Sequence, residues 1–224
     1  AVFFIYFLYR YFKVLNLLNF IYLFIICIIT SLPVLFYTYL FPELLTEQHI
    51  SIKSINYFLL GNSSIISIYL FPIIIINIFY KKFKIEIKNI FLLILSILIV
   101  FILSLNFDPI NWQGGGVNFM ISQNIFNNNL YFYFTSSFTF FVFLYLISEN
   151  RENLVLLIIL LFMFFSFQVY QRYYEPMFFI ILFSLIRTNL LKVFFRNLFA
   201  TFLLLFFNII YYLLAVTDFI YNIK

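Results

Sequence analysis

Cysteine is nearly missing from this sequence: Cys27 is the single one among 224 residues. A lone thiol excludes an intrachain disulfide framework and a thiolate metal site, and its place inside an apolar run reads as a small buried hydrophobe. Histidine also occurs once, as His49. Haem ligation by histidines facing one another across helices is therefore excluded. Charge is scarce too, at 9% of residues against 66% hydrophobic. So little polar surface cannot coat a soluble globule. The net charge of +5 does not point to nucleic acid, because the basic residues sit at the ends of apolar runs and form no stripe interleaved with exposed aromatics.

What is abundant is phenylalanine, 37 residues, with 18 tyrosines and a mean hydropathy of +1.10. Such a composition is expected when an AT-rich coding sequence chooses among equivalent apolar residues, so the phenylalanines read as lipid-facing filler. A bilayer crossing takes about 20 apolar residues in a helix. Runs of that kind lie near Leu17 to Leu40, Ile55 to Tyr80, Asn89 to Leu105, Leu130 to Ile147, Leu154 to Val169 and Phe199 to Val216. Pro176 to Ile186 is a shorter one, and Ala1 to Phe12 is apolar from its first residue. Arg10 and Lys13 come at the end of that opening run, the reverse of a signal peptide, which predicts that the chain starts inside a helix as the C-terminal part of a longer protein. The predicted fold is all-α: a polytopic transmembrane bundle of about seven or eight membrane segments with no β domain. Residues 1–224 are expected to form a single integral membrane domain.

Lysine and arginine divide unequally between the two sets of connecting loops. One set holds Arg10, Lys13, Lys81, Lys82, Lys84, Lys88, Arg151, Arg187, Lys192 and Arg196; the other holds Lys53, Arg172 and Lys224. Ten against three is a positive-inside pattern, which makes the first set cytoplasmic and requires Pro176 to Ile186 to cross. The outer face then carries FPELLTEQHISIK (41–53), NFDPINWQGGGVNFMISQNIFNNN (106–129) and QVYQRYYEP (168–176).

Each outer segment has a chemical and a plain reading. Arg172 either snorkels to headgroups beside Tyr170, Tyr173 and Tyr174, or offers its guanidinium fork with Gln171 to a phosphate. Glu175, next to Pro176, suits a helix N-terminus and makes a structural pair with Arg172. Gly114, Gly115 and Gly116 let backbone N–H groups approach a ligand, although no Lys-Ser/Thr follows as in a phosphate-binding Walker loop. Trp112 is an interfacial anchor or a sugar-stacking ring, and Asp108 before Pro109 a turn opener or a general base. Glu43, Glu47 and His49 lack metal-ligand spacing and read as solvated loop charges. No metal or other cofactor is implied.

Three stretches, SLPVLFYTYLF (31–41), WQGGGVNFMISQNIFNNN (112–129) and QRYYEPMFFIILFSLIRTNL (171–190), resemble the C-terminal half of polytopic membrane glycosyltransferases of the GT-C type. The last is similar to the terminal region of the dolichyl-phosphate-glucose alpha-1,2-glucosyltransferases. The resemblance implies a polyprenyl-phosphate-linked sugar donor, a glycan or lipid-linked acceptor, and inverting transfer on the periplasmic face of a bacterial inner membrane or the lumenal face of the endoplasmic reticulum. It further implies that Arg172 and Gln171 hold the donor phosphate, that Trp112 and Gly114 to Gly116 shape the substrate loop, and that the catalytic acid sits in an early outer loop upstream of Ala1. A transporter or flippase of a lipid-linked glycan is the alternative, with a polysaccharide polymerase or ligase as a near relative of the leading reading. The absence of an evident internal repeat counts against transport. A respiratory subunit would need buried ionisable residues or paired histidines that the spans lack.

Overall fold

The computed structural model describes residues 21, 22, 24–26, 28, 29, 32, 36, 52–80, 86–105, 107, 116–162 and 178–221. The chain divides into two compact units, Ala1–Ile52 and Lys53–Lys224. The described residues of the first are helical and expose large apolar side chains such as Tyr22 and Phe36, in keeping with the run read over Leu17 to Leu40.

All regular structure among the described residues is helical, and none of it is strand. The helices are α1 (Ile52–Phe79), α2 (Ile87–Ser104), α3 (Gly116–Asn124), α4 (Leu130–Glu149), α5 (Asn153–Phe162), α6 (Lys192–Arg196) and α7 (Leu198–Tyr221), with a π-helical turn at Ile181–Leu185 between α5 and α6. Three of them, α1, α2 and α4, are long and apolar enough to cross a bilayer. At 1.5 Å per residue the shortest, α2 with 18 residues, reaches about 27 Å, close to the thickness of a hydrocarbon core. These helices mark the chain as a membrane protein. Their positions follow the apolar runs to within three residues at each end.

Helix α1 is the hub. Hydrocarbon supplies no hydrogen-bond partner, so polar side chains within a span find one on their own helix, as Ser96 does at the Leu93 carbonyl, or on a neighbouring one. Ser64 Oγ lies 3.1 Å from Thr135 Oγ1 of α4, while Ser136 and Thr139 of α4 donate to the Leu60 and Ser63 carbonyls at 3.1 and 2.7 Å. Asn62 donates to the Leu161 carbonyl of α5 at 2.7 Å. Further along, Asn77 donates to the Leu190 carbonyl at 3.0 Å. Aromatic contacts add Phe178, 5.2 Å from the Tyr69 ring, and Phe107, 4.8 Å from Tyr57. Helix α2 differs: its buried residues are Asn89, Ser96 and Val100, a single stripe along α4, and the rest of its surface faces outward.

Two ends of the second unit can be told apart. At one, Asn153 donates to the Leu146 and Arg187 carbonyls and accepts from the Arg187 N–H at 3.0 Å, while Glu149 accepts from Thr188 Oγ1 and from the Asn189 N–H at 3.2 Å. Lys88, Arg151, Arg187, Lys192 and Arg196 belong to this end. At the other, Ser122 donates to the Asn128 carbonyl, and Phe107 packs against Phe132 at 5.4 Å. Lys53, in the first turn of α1, is the one basic residue there among the described residues.

Residues 178–185 are helical but short, and the π-turn closes with the Ile186 N–H donating to the Ile181 carbonyl at 3.0 Å. Within the stretch read as the outer loop 106–129, residues 116–124 form α3 instead. Nine residues of modest apolarity, opening on glycines and followed by asparagines, carry too weak a periodic signal to stand out as a helix.

The seam between α1 and α4 makes a quantitative prediction. Thr139→Val removes one interhelical hydrogen bond and should cost about 0.6 kcal/mol. Ser136→Leu drives a large side chain into a closed contact and should cost about 1–3 kcal/mol. Equilibrium unfolding in mixed micelles measures both, and a neutral Ser136→Leu would refute the close approach of the two helices.

Candidate functional site

Helix α3 begins at Gly116, whose φ of 64° lies in the left-handed region. A Cβ there costs roughly 1–2 kcal/mol, so of the three consecutive glycines this one has a defined conformational reason. The turn delivers Asn118, Phe119 and Ser122 to the buried face of α3. Phe119 meets Phe132 edge-on at 5.2 Å. Asn118, 5% exposed, donates to the Ser64 carbonyl and to Ser67 Oγ, both at 2.8 Å, and its Oδ1 lies 3.4 Å from the Tyr131 hydroxyl. One amide thus ties α3 to α1 and α4.

Beside this knot is a cleft of about 570 Å³. Helix α1 contributes Ser67, Phe71 and Pro72, and α3 contributes Asn118 and Ile121. The remaining wall comes from Tyr131, Phe134 and Phe138 of α4 and from Phe207 and Asn208 of α7. Pro72 has no N–H for the Ile68 carbonyl one turn back, and both residues line the cleft. The walls are aromatic and aliphatic, while Ser67, Asn118, Tyr131 and Asn208 supply a few polar groups. Asn208 already donates to the Leu204 carbonyl at 2.9 Å, and Ser67 to the Ser64 carbonyl at 2.6 Å. Chemically the cleft suits a flexible apolar chain and offers it little hydrogen bonding. The Tyr131 phenol is the one titratable group among the described residues that line it.

Comparison with protein-family models, curated proteins and solved structures finds no match to this chain.

Of the residues singled out in the sequence, Gly116 is described and stands at the mouth of α3, one residue before Val117 of the cleft wall. Asp108, Trp112, Gly114, Gly115, Gln171, Arg172 and Glu175 lie outside the described residues, as do Glu43, Glu47 and His49. Among the described residues no three His, Cys, Asp or Glu side chains come together in a way that can hold a metal. Missed in the sequence were Ser64, Ser67, Asn118, Thr135 and Asn208. The available signal was spacing: Ser63, Ser64 and Ser67, and likewise Thr135, Ser136 and Thr139, recur at three and four residues, which is one helical face.

Gly116→Ala should destabilise the α3 corner by about 1–2 kcal/mol. Gly116→Asn, which tolerates left-handed backbone better, should recover part of the loss. Thermal unfolding in detergent checks the order Gly, Asn, Ala; equal stability of all three would remove the conformational role.

Proposed function

We propose that this chain is part of a membrane glycosyltransferase that takes its sugar from a polyprenyl-phosphate-linked donor on the non-cytoplasmic face. The observation that carries the reading is the apolar cleft at span depth whose polar edge, Asn118, belongs to the helix that Gly116 opens. A polyprenyl chain is apolar and flexible, so it fits such walls, and its phosphate must emerge where polar backbone is available. In this proposal the Gly114–Gly116 turn and Trp112 shape the sugar or acceptor site, and Arg172 with Gln171 holds the donor phosphate. Glu175 pairs with Arg172. An acceptor hydroxyl attacks the anomeric carbon as the bond to the phosphate oxygen breaks, and the guanidinium stabilises the charge left on the departing polyprenyl phosphate. The proton of that hydroxyl passes to a carboxylate, for which Asp108 is the candidate in this chain.

The same reading sets about seven or eight membrane segments, Pro176 to Ile186 included, in a multi-pass protein of the bacterial inner membrane or the endoplasmic reticulum. It assigns the end bearing Lys88, Arg151, Arg187, Lys192 and Arg196 to the cytoplasm. A second reading, flipping of a lipid-linked glycan, is favoured by one feature. The chain over 178–198 is broken into a π-turn, a non-helical stretch at 186–191 and the five-residue α6, an interruption typical of transport helices.

Reconstitution with a labelled polyprenyl-phosphate sugar separates the two. The transferase reading predicts a new glycosidic product, lost in Arg172→Ala and Arg172→Lys while membrane insertion persists. A photoactivatable isoprenoid phosphate should also label residues of α3 and α7, competed by polyprenyl phosphate but not by a straight-chain alkyl phosphate. Full transfer by Arg172→Ala would remove the phosphate role, and movement of the donor across the bilayer without any product would transfer the case to the flippase.

A further inference from the structure

A second cleft, of about 420 Å³, lies at the basic end of the bundle and includes Arg187, Lys192, Thr188, Asn189, Phe183 and Phe195 in its lining. We infer that it binds the phosphodiester headgroup of an anionic phospholipid, with Arg187 and Lys192 as the charged contacts and the exposed aromatic surface beside it as the acyl-chain lane.

The loop is built to present those cations. Glu149, which closes α4, accepts from Thr188 Oγ1, the Asn189 N–H and, at 3.3 Å, Asn189 Nδ2, so its carboxylate is spent holding the 187–190 turn. Asn153 holds the same turn from the other side through both the N–H and the carbonyl of Arg187. With the backbone fixed, the two basic side chains line the cleft, each with one local partner. Lys192 Nζ donates to Asn189 Oδ1 at 2.6 Å. Arg187 meets Glu152 at 3.4 Å through Nη1, and although 53% and 41% of these side chains are exposed the Glu152 oxygen in the pair is itself buried, so a phosphate would use the other guanidinium nitrogens. Arg187 and Lys192 line the cleft with one carboxylate, Glu149, and the same end of the bundle also carries Lys88, Arg151 and Arg196 against Glu86 and Glu152.

A lipid is the source that fits, in preference to a free anion, because four of the ten residues lining the cleft are apolar, Phe183, Ile186, Leu191 and Phe195. Phe195 in its wall is 70% exposed, and Phe199, Phe202 and Phe206 continue along one face of α7, each more than half exposed. A headgroup seated on Arg187 and Lys192 has its chains beside that face. Basic clefts between membrane helices take anionic headgroups in this way. The inference stands apart from sugar transfer, which concerns the Asn118 cleft.

The test is native mass spectrometry of the full chain released from nanodiscs of phosphatidylglycerol in excess phosphatidylcholine. Wild type should retain phosphatidylglycerol in preference, and Arg187→Gln with Lys192→Gln should lower that preference by about fivefold per cation removed. Arg151→Gln, at the same end but outside the cleft, should leave it unchanged. Equal losses in Arg151→Gln would mean diffuse surface charge, and unchanged retention in the double variant would remove the site; either overturns the inference. Displacement of the lipid by inorganic phosphate at low millimolar concentration would reassign the cleft to a free anion and overturn it as well. Should the double variant fail to fold, the salt dependence of wild-type retention decides: a steep fall with ionic strength is expected, and salt-independent retention contradicts the charged contact.

Discussion

Hydrocarbon offers a buried amide or hydroxyl nothing to bond with, and helix α1 is where the fold answers that constraint. Asn62, Ser64 and Asn77 each reach a different neighbour, and the Leu60, Ser63 and Ser64 carbonyls accept side-chain donors from α4 and α3. Each such bond is worth only about 0.6 kcal/mol in a membrane, since the separated helices find other partners. Their value lies in direction. Apolar side chains pack nearly as well in several rotations, whereas a donor aimed at one carbonyl fixes the rotation of both helices. That rotation sets Ser67 and Pro72 beside α3 and so forms the Asn118 cleft.

The crossing helices were legible from the sequence because a bilayer imposes a length and a composition, and α1, α2 and α4 satisfy both. The grouping of cations was legible for the same reason: the structure brings the segments bearing Arg151 and Arg187 to one end through Glu149 and Asn153, residues whose bracing bonds no spacing rule announces. The cleft was not legible. Its walls come from 67–72, 117–125, 131–138 and 207–210, stretches that look alike in composition and are joined only by folding. The polar residues that organise it are serine, threonine and asparagine, easily passed over in an apolar run because they carry no charge. Helix α3 was hidden by its own flanks, three glycines before it and three asparagines after it.

Function follows from the same division of labour. An apolar cleft with few polar groups selects for an aliphatic chain and leaves the chemistry to segments outside the span. That suits an enzyme or carrier whose substrate is anchored in the bilayer by a long tail. The basic end, by contrast, has a backbone held by Glu149 and Asn153, two cations with one local partner each and adjacent exposed aromatic surface, the features on which the proposed lipid site rests. The two clefts differ in polarity and charge, which is why the two proposals assign them different ligands.

Everything above requires that the end holding Asn127 and the end holding Asn189 lie across a bilayer from each other. Single cysteines at those two exposed positions, in a Cys27→Ser background, can be probed in intact cells with a membrane-impermeant maleimide. The account predicts labelling of position 127 in intact cells, with position 189 reacting only after permeabilisation. Labelling of both positions from the same side would contradict it.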